Sequence, residues 1–243
     1  MKDNKIIVLW SAPRSRSTAF ERIFLERCDF SIKHEPFSVS YYYSRERCSN
    51  RYYNIESKEE YLYKNVVQDI LDSKKAQSVF IKDMAYHALP FIEDKVLKQF
   101  NNTFIIRNPK QAIGSLYKMW PDFDFDETGY KQQFELYNHI VGLGREKPII
   151  IDSDDLCNNT VKTYASYCEL LEINYDVKHL SWEVKEIPEW ETSWKEWHVD
   201  ALNSTKIYNI IKNSAQTSDK EKNAIEFCDP YFQYLYERRL IID

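Results

Sequence analysis

The chain reads as an α/β protein in which helices cover both faces of a central parallel sheet. Largely apolar runs at 6–10 (IIVLW), 78–83 (SVFIKD), 103–107 (TFIIR) and 148–152 (PIIID) suit strands buried on both faces. Stretches with apolar residues at helical spacing separate these runs, the alternation expected of a parallel sheet with helical crossovers. No repeat, low-complexity tract or linker interrupts the 243 residues, so one domain over 1–243 is expected.

The elements follow in order. After the strand at 6–10, Ser17 or Thr18 is placed to cap a helix whose Phe20, Ile23 and Phe24 share a face. Residues 30–33 form a short strand ending at "HEPF", and "SVSYYYSRERCSNRYY" (38–53) is aromatic and basic without a period. Ser57 with Glu60 has the spacing of a capping box, which predicts a helix reaching about Leu71. Beyond the strand at 78–83, Pro90 opens a helix. After the strand at 103–107, "NPKQAIGSLYKMW" offers Asn108 as a cap, Pro109 in the first turn, and Ile113, Leu116 and Tyr117 behind. Helices at 130–143 and 161–171 flank the strand and turn of "PIIIDSDDL", and a tryptophan-rich stretch precedes helices at 199–211 and 220–238.

Composition narrows the functions. Lys and Arg number 33 against 38 Asp and Glu, a formal charge of -5, so no global positive field draws in nucleic acid. An anionic ligand must meet a local basic site. Five cysteines, odd in number and without a CxxC pair, suit neither zinc nor a disulfide framework and fit a reducing compartment. No apolar run reaches membrane-spanning length, and the apolar part of "MKDNKIIVLW" is too short for a signal peptide. Cytoplasm is the expected location, with neither nucleic acid nor membrane as a partner.

The turn "SAPRSRST" (11–18) has the length of G-x-x-x-x-G-K-[ST], but Arg16 stands at the second glycine and Ser17 at the lysine. An ordinary ATP or GTP phosphate loop is therefore not expected. A buried strand feeding a helix still leaves free backbone N–H groups at the helix start, which attract anions. Ser15, Ser17 and Thr18 add hydroxyl donors, and Arg14 or Arg16 can grip an oxyanion through its fork. Plain caps and solvated surface arginines are the bland alternative. A second junction shifts the balance: in "IIRNPKQAIGS", Arg107 ends a strand and Ser115 follows eight positions on, two helical turns in. Adjacent strand ends of this kind can hold two separated phosphates of one nucleotide.

On these residues the chain resembles the sulfotransferases that use 3′-phosphoadenosine 5′-phosphosulfate (PAPS). Pro13, Arg14, Ser15, Ser17 and Thr18 fall on that family's P-[KR]-S-G-[TS]-T motif, which binds the phosphosulfate, and Arg16 departs from its glycine. Arg107, Asn108, Pro109, Gln111 and Ser115 match R-N-P-x-[DEQ]-x-x-x-S, whose arginine and serine bind the 3′-phosphate. The resemblance implies a three-layer architecture like that of P-loop nucleotide kinases and PAPS as the sulfuryl donor. It also implies a hydroxyl or phenol as acceptor, with no metal; the tyrosine-rich stretch at 41–53 suits a small molecule there, with a peptide or sugar as the alternatives. At an ordinary φ, Arg16 adds charge near the sulfonate; at a positive φ, the loop is shifted or strained.

Sulfuryl transfer needs cations on the leaving oxygen and a base for the acceptor's proton. Arg14 occupies the family's lysine/arginine position, and Lys82 in "FIKDMAYHALP" is the second candidate cation. Cytosolic members place their histidine base two residues after that lysine, where this chain has Met84. The protein-tyrosine branch uses a glutamate a similar distance beyond its phosphosulfate loop, which falls on Glu35 in "KHEPFS". Glu35 heads the candidate bases, His34 follows, and Asp83 and His87 come after. Anchoring of the turn at Pro36, or pairing with an arginine, is the structural alternative for Glu35.

The late stretch "WETSWKEWHVDALNS" resembles the region in which the family closes over its donor. Lys195 or His198 then reaches the 3′-phosphate or stays at the surface, while Trp194 and Trp197 form a core stripe. Tyr41, Tyr42, Tyr43, Tyr52 and Tyr53 are expected to line the acceptor side, with Arg45, Arg47 and Arg51 pointing to an anionic acceptor. Two other functions remain open. One is an ATP-dependent small-molecule or nucleoside kinase, which the missing loop lysine weakens; the other is a non-catalytic nucleotide- or partner-binding protein, which Met84 favours.

Overall fold

A computed structural model of the chain describes residues 3–144, 146–190, 195–208 and 218–242. All six residues of β1 (Ile6–Ser11) are buried. Ile6, Val8 and Trp10 enter one core and Ile7 and Leu9 the other, so the run shows no polar alternation. The chain continues through α1 (Ser17–Arg27), β2 (Phe30–His34), α2 (Ser38–Tyr42), α3 (Tyr63–Ala76), β3 (Ser78–Met84), α4 (Ala85–Ala88) and α5 (Asp94–Leu97). There follow β4 (Asn101–Ile106), α6 (Pro109–Met119), α7 (Tyr130–Gly142), β5 (Ile149–Asp152), α8 (Ser153–Asn158), α9 (Thr160–Leu170), α10 (Val199–Leu202) and α11 (Asp219–Tyr236).

The strands pair in parallel in the order β2-β3-β1-β4-β5, a five-stranded sheet among the described residues. On one face α3, α6, α7 and α11 contribute Ile70, Ile113, Leu136 and Phe232 to a core with Ile81 and Phe104. On the other, Phe20, Ile23 and Phe24 of α1 and Tyr167 of α9 pack on Leu9 and Phe80. There Phe24 stacks on Phe80 with ring centroids 3.7 Å apart. The three-layer α/β expectation holds.

Register brings the chemistry to one edge. His34 pairs with Lys82, Ser11 with Met84 and Ile105, and Ile106 with Asp152, so the strands' carboxyl ends lie level. From β1 the chain turns toward β2, and from β4 it turns the opposite way toward β5, opening a crevice beside β1.

Three expected helix starts are corrected. Neither Ser17 nor Thr18 caps α1; Arg16 takes the N-cap place in a left-handed conformation, without a side-chain cap bond. Ser57 and Glu60 form no capping box, because a 3-10 turn at Glu59–Tyr61 and extended Leu62 intervene before α3. Pro90 opens no helix: it follows the C-cap Leu89 of α4, and the next helix, α5, begins only at Asp94. Asn108 does cap α6, accepting from the Lys110 N–H with Pro109 in the first turn. Ser218 and Glu221 complete a capping box at α11. Trp194, the Lys195 side chain and the expected helical stretch beyond residue 208 lie outside the described residues.

Candidate active site

The turn after β1 closes without glycine. Arg14 and Arg16 sit at φ 62° and 67°, where an L-residue costs about 1–2 kcal/mol. Local bonds hold them. Ser15 Oγ donates to the Ala12 carbonyl at 2.7 Å, and Arg16 Nη1 donates to the Ser153 carbonyl and, at 2.6 Å, to Asp154 Oδ1. Gly129, at φ 77°, backs the turn: a Cβ there would stand 3.2 Å from Pro13 Cδ and 3.4 Å from Ala12 Cα. The glycine absent from the turn itself is thus supplied by the helix entry packed behind it.

The two arginine junctions interlock. Arg107 Nη1 donates to the Arg14 carbonyl at 2.7 Å, and Arg14 Nε donates to Ser115 Oγ at 2.9 Å. Arg14 Nη1 also bonds the Trp197 carbonyl, and its guanidinium lies 5.9 Å from that indole's centre. Arg107 Nε donates to Gln111, and Tyr130 donates to the Arg107 carbonyl. Ser115 is therefore held by Arg14 rather than by Arg107. Burial, then repulsion from Arg16 and Arg14, pushes the Arg107 guanidinium down to about 10, against the opposing pull of Tyr130 and Asp154. Burial likewise lowers Arg14, with Asp200 opposing it.

Past β2, Glu35 turns at φ 48°, and its N–H donates to the Lys82 carbonyl at 2.7 Å. That bond extends the His34–Lys82 register by one residue and brings the Glu35 carboxylate onto Lys82 Nζ in a buried ion pair. Burial alone would raise the Glu35 carboxyl. Lys82, His34, His87 and His198 outweigh it and hold the group well below the usual carboxylate range. The expected pairing of Glu35 with an arginine of the first loop is corrected: its partner is Lys82.

His34 is occupied on both sides. Its Nδ1 donates to Glu21 Oε2 at 2.7 Å, and its Nε2 lies 3.1 Å from Nε2 of His198. Trp190 Nε1 donates to the same Glu21 oxygen. Burial, with His34 and Lys82, pushes His198 down to about 3 although Glu35 opposes this.

Asp83 and His87 form a second buried pair. Asp83 Oδ2 accepts from the Phe37 N–H and Oδ1 from the Met84 N–H, each at 2.7 Å. His87 Nδ1 lies 2.7 Å from Asp83 Oδ1. Burial raises the Asp83 carboxyl, against the opposing hydrogen bond and charge of His87. The imidazole is ringed by Tyr41, Tyr42 and Tyr86 at centroid distances of 5.4, 5.3 and 4.4 Å.

One cavity of about 1100 Å³ gathers these groups. Arg14, Ser15, Arg16, Ser17, Thr18, Arg107 and Ser115 line it together with Glu35, Lys82 and His87, whereas His34 does not. Of the five tyrosines expected on the acceptor side, only Tyr42 lines the cavity; Tyr41, Tyr43 and Tyr52 pack behind it and Tyr53 is exposed. Arg45, Arg47 and Arg51 also lie off the cavity wall. Arg45 pairs with Glu59, and Arg51 pairs with Glu127 and Asp122 while stacking on Trp120. Trp197 lines the cavity and packs edge-on to Trp120, so it is a wall as well as part of a core. Lys110, Lys118 and Tyr86, which sequence reasoning passed over, line it too. The helical spacing of Lys110 with Gly114 and of Lys118 with Ser115 was the signal that could have found both lysines.

A family model described as a sulfotransferase domain matches residues 5–220. Among curated proteins, two branched-chain-amino-acid aminotransferase-like proteins of Arabidopsis thaliana are 29% and 28% identical over 95% and 89% of the chain. The matches cover 41% and 39% of those proteins, so the chain spans about two fifths of their length. Among solved structures, the sulfotransferase domain from the curacin biosynthetic pathway has a TM-score of 0.55 at 13% identity, covering 94% of this chain and 98% of that one. A sulfotransferase from Alicyclobacillus acidocaldarius scores 0.52 at 13% identity, covering 99% and 98%. A mouse sulfotransferase complexed with PAP scores 0.52 at 12% identity, covering 97% and 90%. At these identities the structural likeness is one of fold, while the family match takes in nearly the whole chain. The chain belongs to the sulfotransferase family.

Proposed function

We propose that this protein transfers the sulfuryl group of PAPS to a hydroxyl of a small-molecule acceptor. One observation carries the proposal: Arg107 bonds the Arg14 backbone and Arg14 bonds Ser115, so both phosphate-type junctions meet in a single cavity. The donor set fits an adenosine 3′,5′-bisphosphate. Two half-buried guanidiniums, each lowered by desolvation, gain from an anion between them, and the uncapped start of α1 offers backbone N–H groups beside Ser17 and Thr18. Arg107, Ser115 and Lys110 suit the 3′-phosphate, and Arg14 with the turn at 14–18 suits the 5′-phosphosulfate.

Lys82 would face the oxygen on which charge collects as the sulfur–oxygen bond breaks. Glu35 holds that lysine in place until the donor's own charges compete for it. The tyrosine-walled side of the cavity, with Tyr42, Tyr86 and Met84, suits a flat or phenolic acceptor. The PAP complex of the mouse relative supports the choice of nucleotide.

Isothermal titration with 3′-phosphoadenosine 5′-phosphate (PAP), run beside ATP with magnesium, tests the proposal. Tighter binding of PAP is expected. Preference for magnesium–ATP would replace it with the kinase reading.

A further inference from the structure

Three buried groups compete for the acceptor's proton, and their existing bonds separate them. Glu35 is committed to Lys82 and held as a weak base by the cations around it. His34 has both ring nitrogens engaged and stands off the cavity wall. His87 differs. Its Nδ1 faces an Asp83 carboxylate fixed by two backbone N–H groups, while among the described residues its buried Nε2 has no hydrogen-bond partner. The residue is only 2% exposed, yet it lines the cavity with Lys82, Tyr42 and Tyr86. A buried polar atom without a partner costs about 1–3 kcal/mol, so the unpaired Nε2, closed off at rest on a residue that lines the cavity, calls for an occupant once the cavity is filled.

We infer that His87 is the base that takes the acceptor's proton and that Asp83 is its positioning residue. This rests on the proposed PAPS reaction. A carboxylate only accepts, so Asp83 fixes the imidazole proton on Nδ1 and leaves the Nε2 lone pair bare. The acceptor O–H gives its proton to Nε2 as its oxygen bonds to sulfur. The bond from sulfur to the bridging oxygen breaks, and PAP departs with that electron pair. The resulting imidazolium pairs with Asp83 and later releases its proton to solvent. The charged or titratable groups around the ring are Asp83, Glu35, Tyr41, Tyr42 and Tyr86.

Two measurements test this. Long-range proton–nitrogen NMR on the intact protein at neutral pH reads the ring directly and needs no acceptor. The expected state is neutral His87 with its proton on Nδ1; a proton on Nε2, or a doubly protonated ring, overturns the inference. Asp83→Asn should shift the tautomer balance, a change that a purely structural pair would not link to rate.

The second measurement is single-turnover PAP release from PAPS with 4-nitrophenol as the probe acceptor. His87→Gln should slow it about 100-fold or more, with calorimetric PAP affinity within about twofold of the parent. The acidic limb of the rate profile should vanish in His87→Gln and persist in Glu35→Gln. An unaltered rate in His87→Gln, or loss of that limb only in Glu35→Gln, overturns it. Failure of the parent protein to bind PAP would strike the donor assignment instead, and the ring's proton would still be read separately.

Discussion

Arg16 shows how one side chain can stand where the family's motif has glycine. Its positive φ carries the left-handed penalty, and its fork recovers energy from the Asp154 carboxylate and the Ser153 carbonyl. The charge thereby points toward α8, away from the role of extra cation on the sulfonate. Arg16→Ala and Arg16→Gly both remove the ion pair, and only glycine also removes the strain. Arg16→Gly should therefore be the more stable of the two by about 1 kcal/mol, read from urea unfolding midpoints. The reverse order would contradict a left-handed residue there. The sequence displayed this substitution but not its φ, because φ depends on how the turn lies against Gly129 and α8. Glu35 and Lys82 were both legible as candidates. Their pairing was not, since it follows from β2 lying beside β3, a neighbour relation set by tertiary packing.

At the scale of elements, double-sided burial made β1 and β4 easy to read, and Asn108 with Pro109 marked the start of α6. The start of α3 was misread because a capping signature is local, and extended Leu62 shifted the helix beyond it. Least legible was the chain of contacts Trp190–Glu21–His34–His198, which ties α1, β2 and the segment before α10 across large sequence separations. Its electrostatics has a consequence for acid stability. His198 is pushed from 6.5 to about 3 by burial and by His34, so between those values the unfolded chain binds the proton and the folded one does not. Stability contributed by neutral His198 is present above pH 6.5 and is lost as pH falls, by at most about 1.4 kcal/mol per pH unit. Glu35 works in the same direction at lower pH: its depressed carboxyl contributes above its unfolded value of 4.5 and loses that contribution below it. His198→Asn should flatten the decline of unfolding free energy between pH 6 and pH 5, a window that ends about half a unit above the 4.5 at which Glu35 begins to contribute to that decline. An unchanged slope in chemical denaturation would show that His198 is not held neutral.

For the whole molecule, the sheet order carries the function. Chain directions diverge after β1 and β4, and the crevice there collects guanidiniums from both junctions in a protein whose overall charge is -5. Attraction for an anion must then be local, built from half-buried arginines in the crevice rather than from a broad field. The fold class followed from apolar runs alternating with helical spacing. The strand order did not, because each crossover could pass either way along the sheet. The proposal finally requires two phosphate sites on one nucleotide. Calorimetric titration of the protein with PAP and with adenosine 5′-monophosphate, which lacks the 3′-phosphate, measures that requirement directly. PAP should bind at least about 30-fold more tightly, and Arg107→Ala should erase most of the difference. Equal affinities in the parent protein, or a difference that survives in Arg107→Ala, would contradict it.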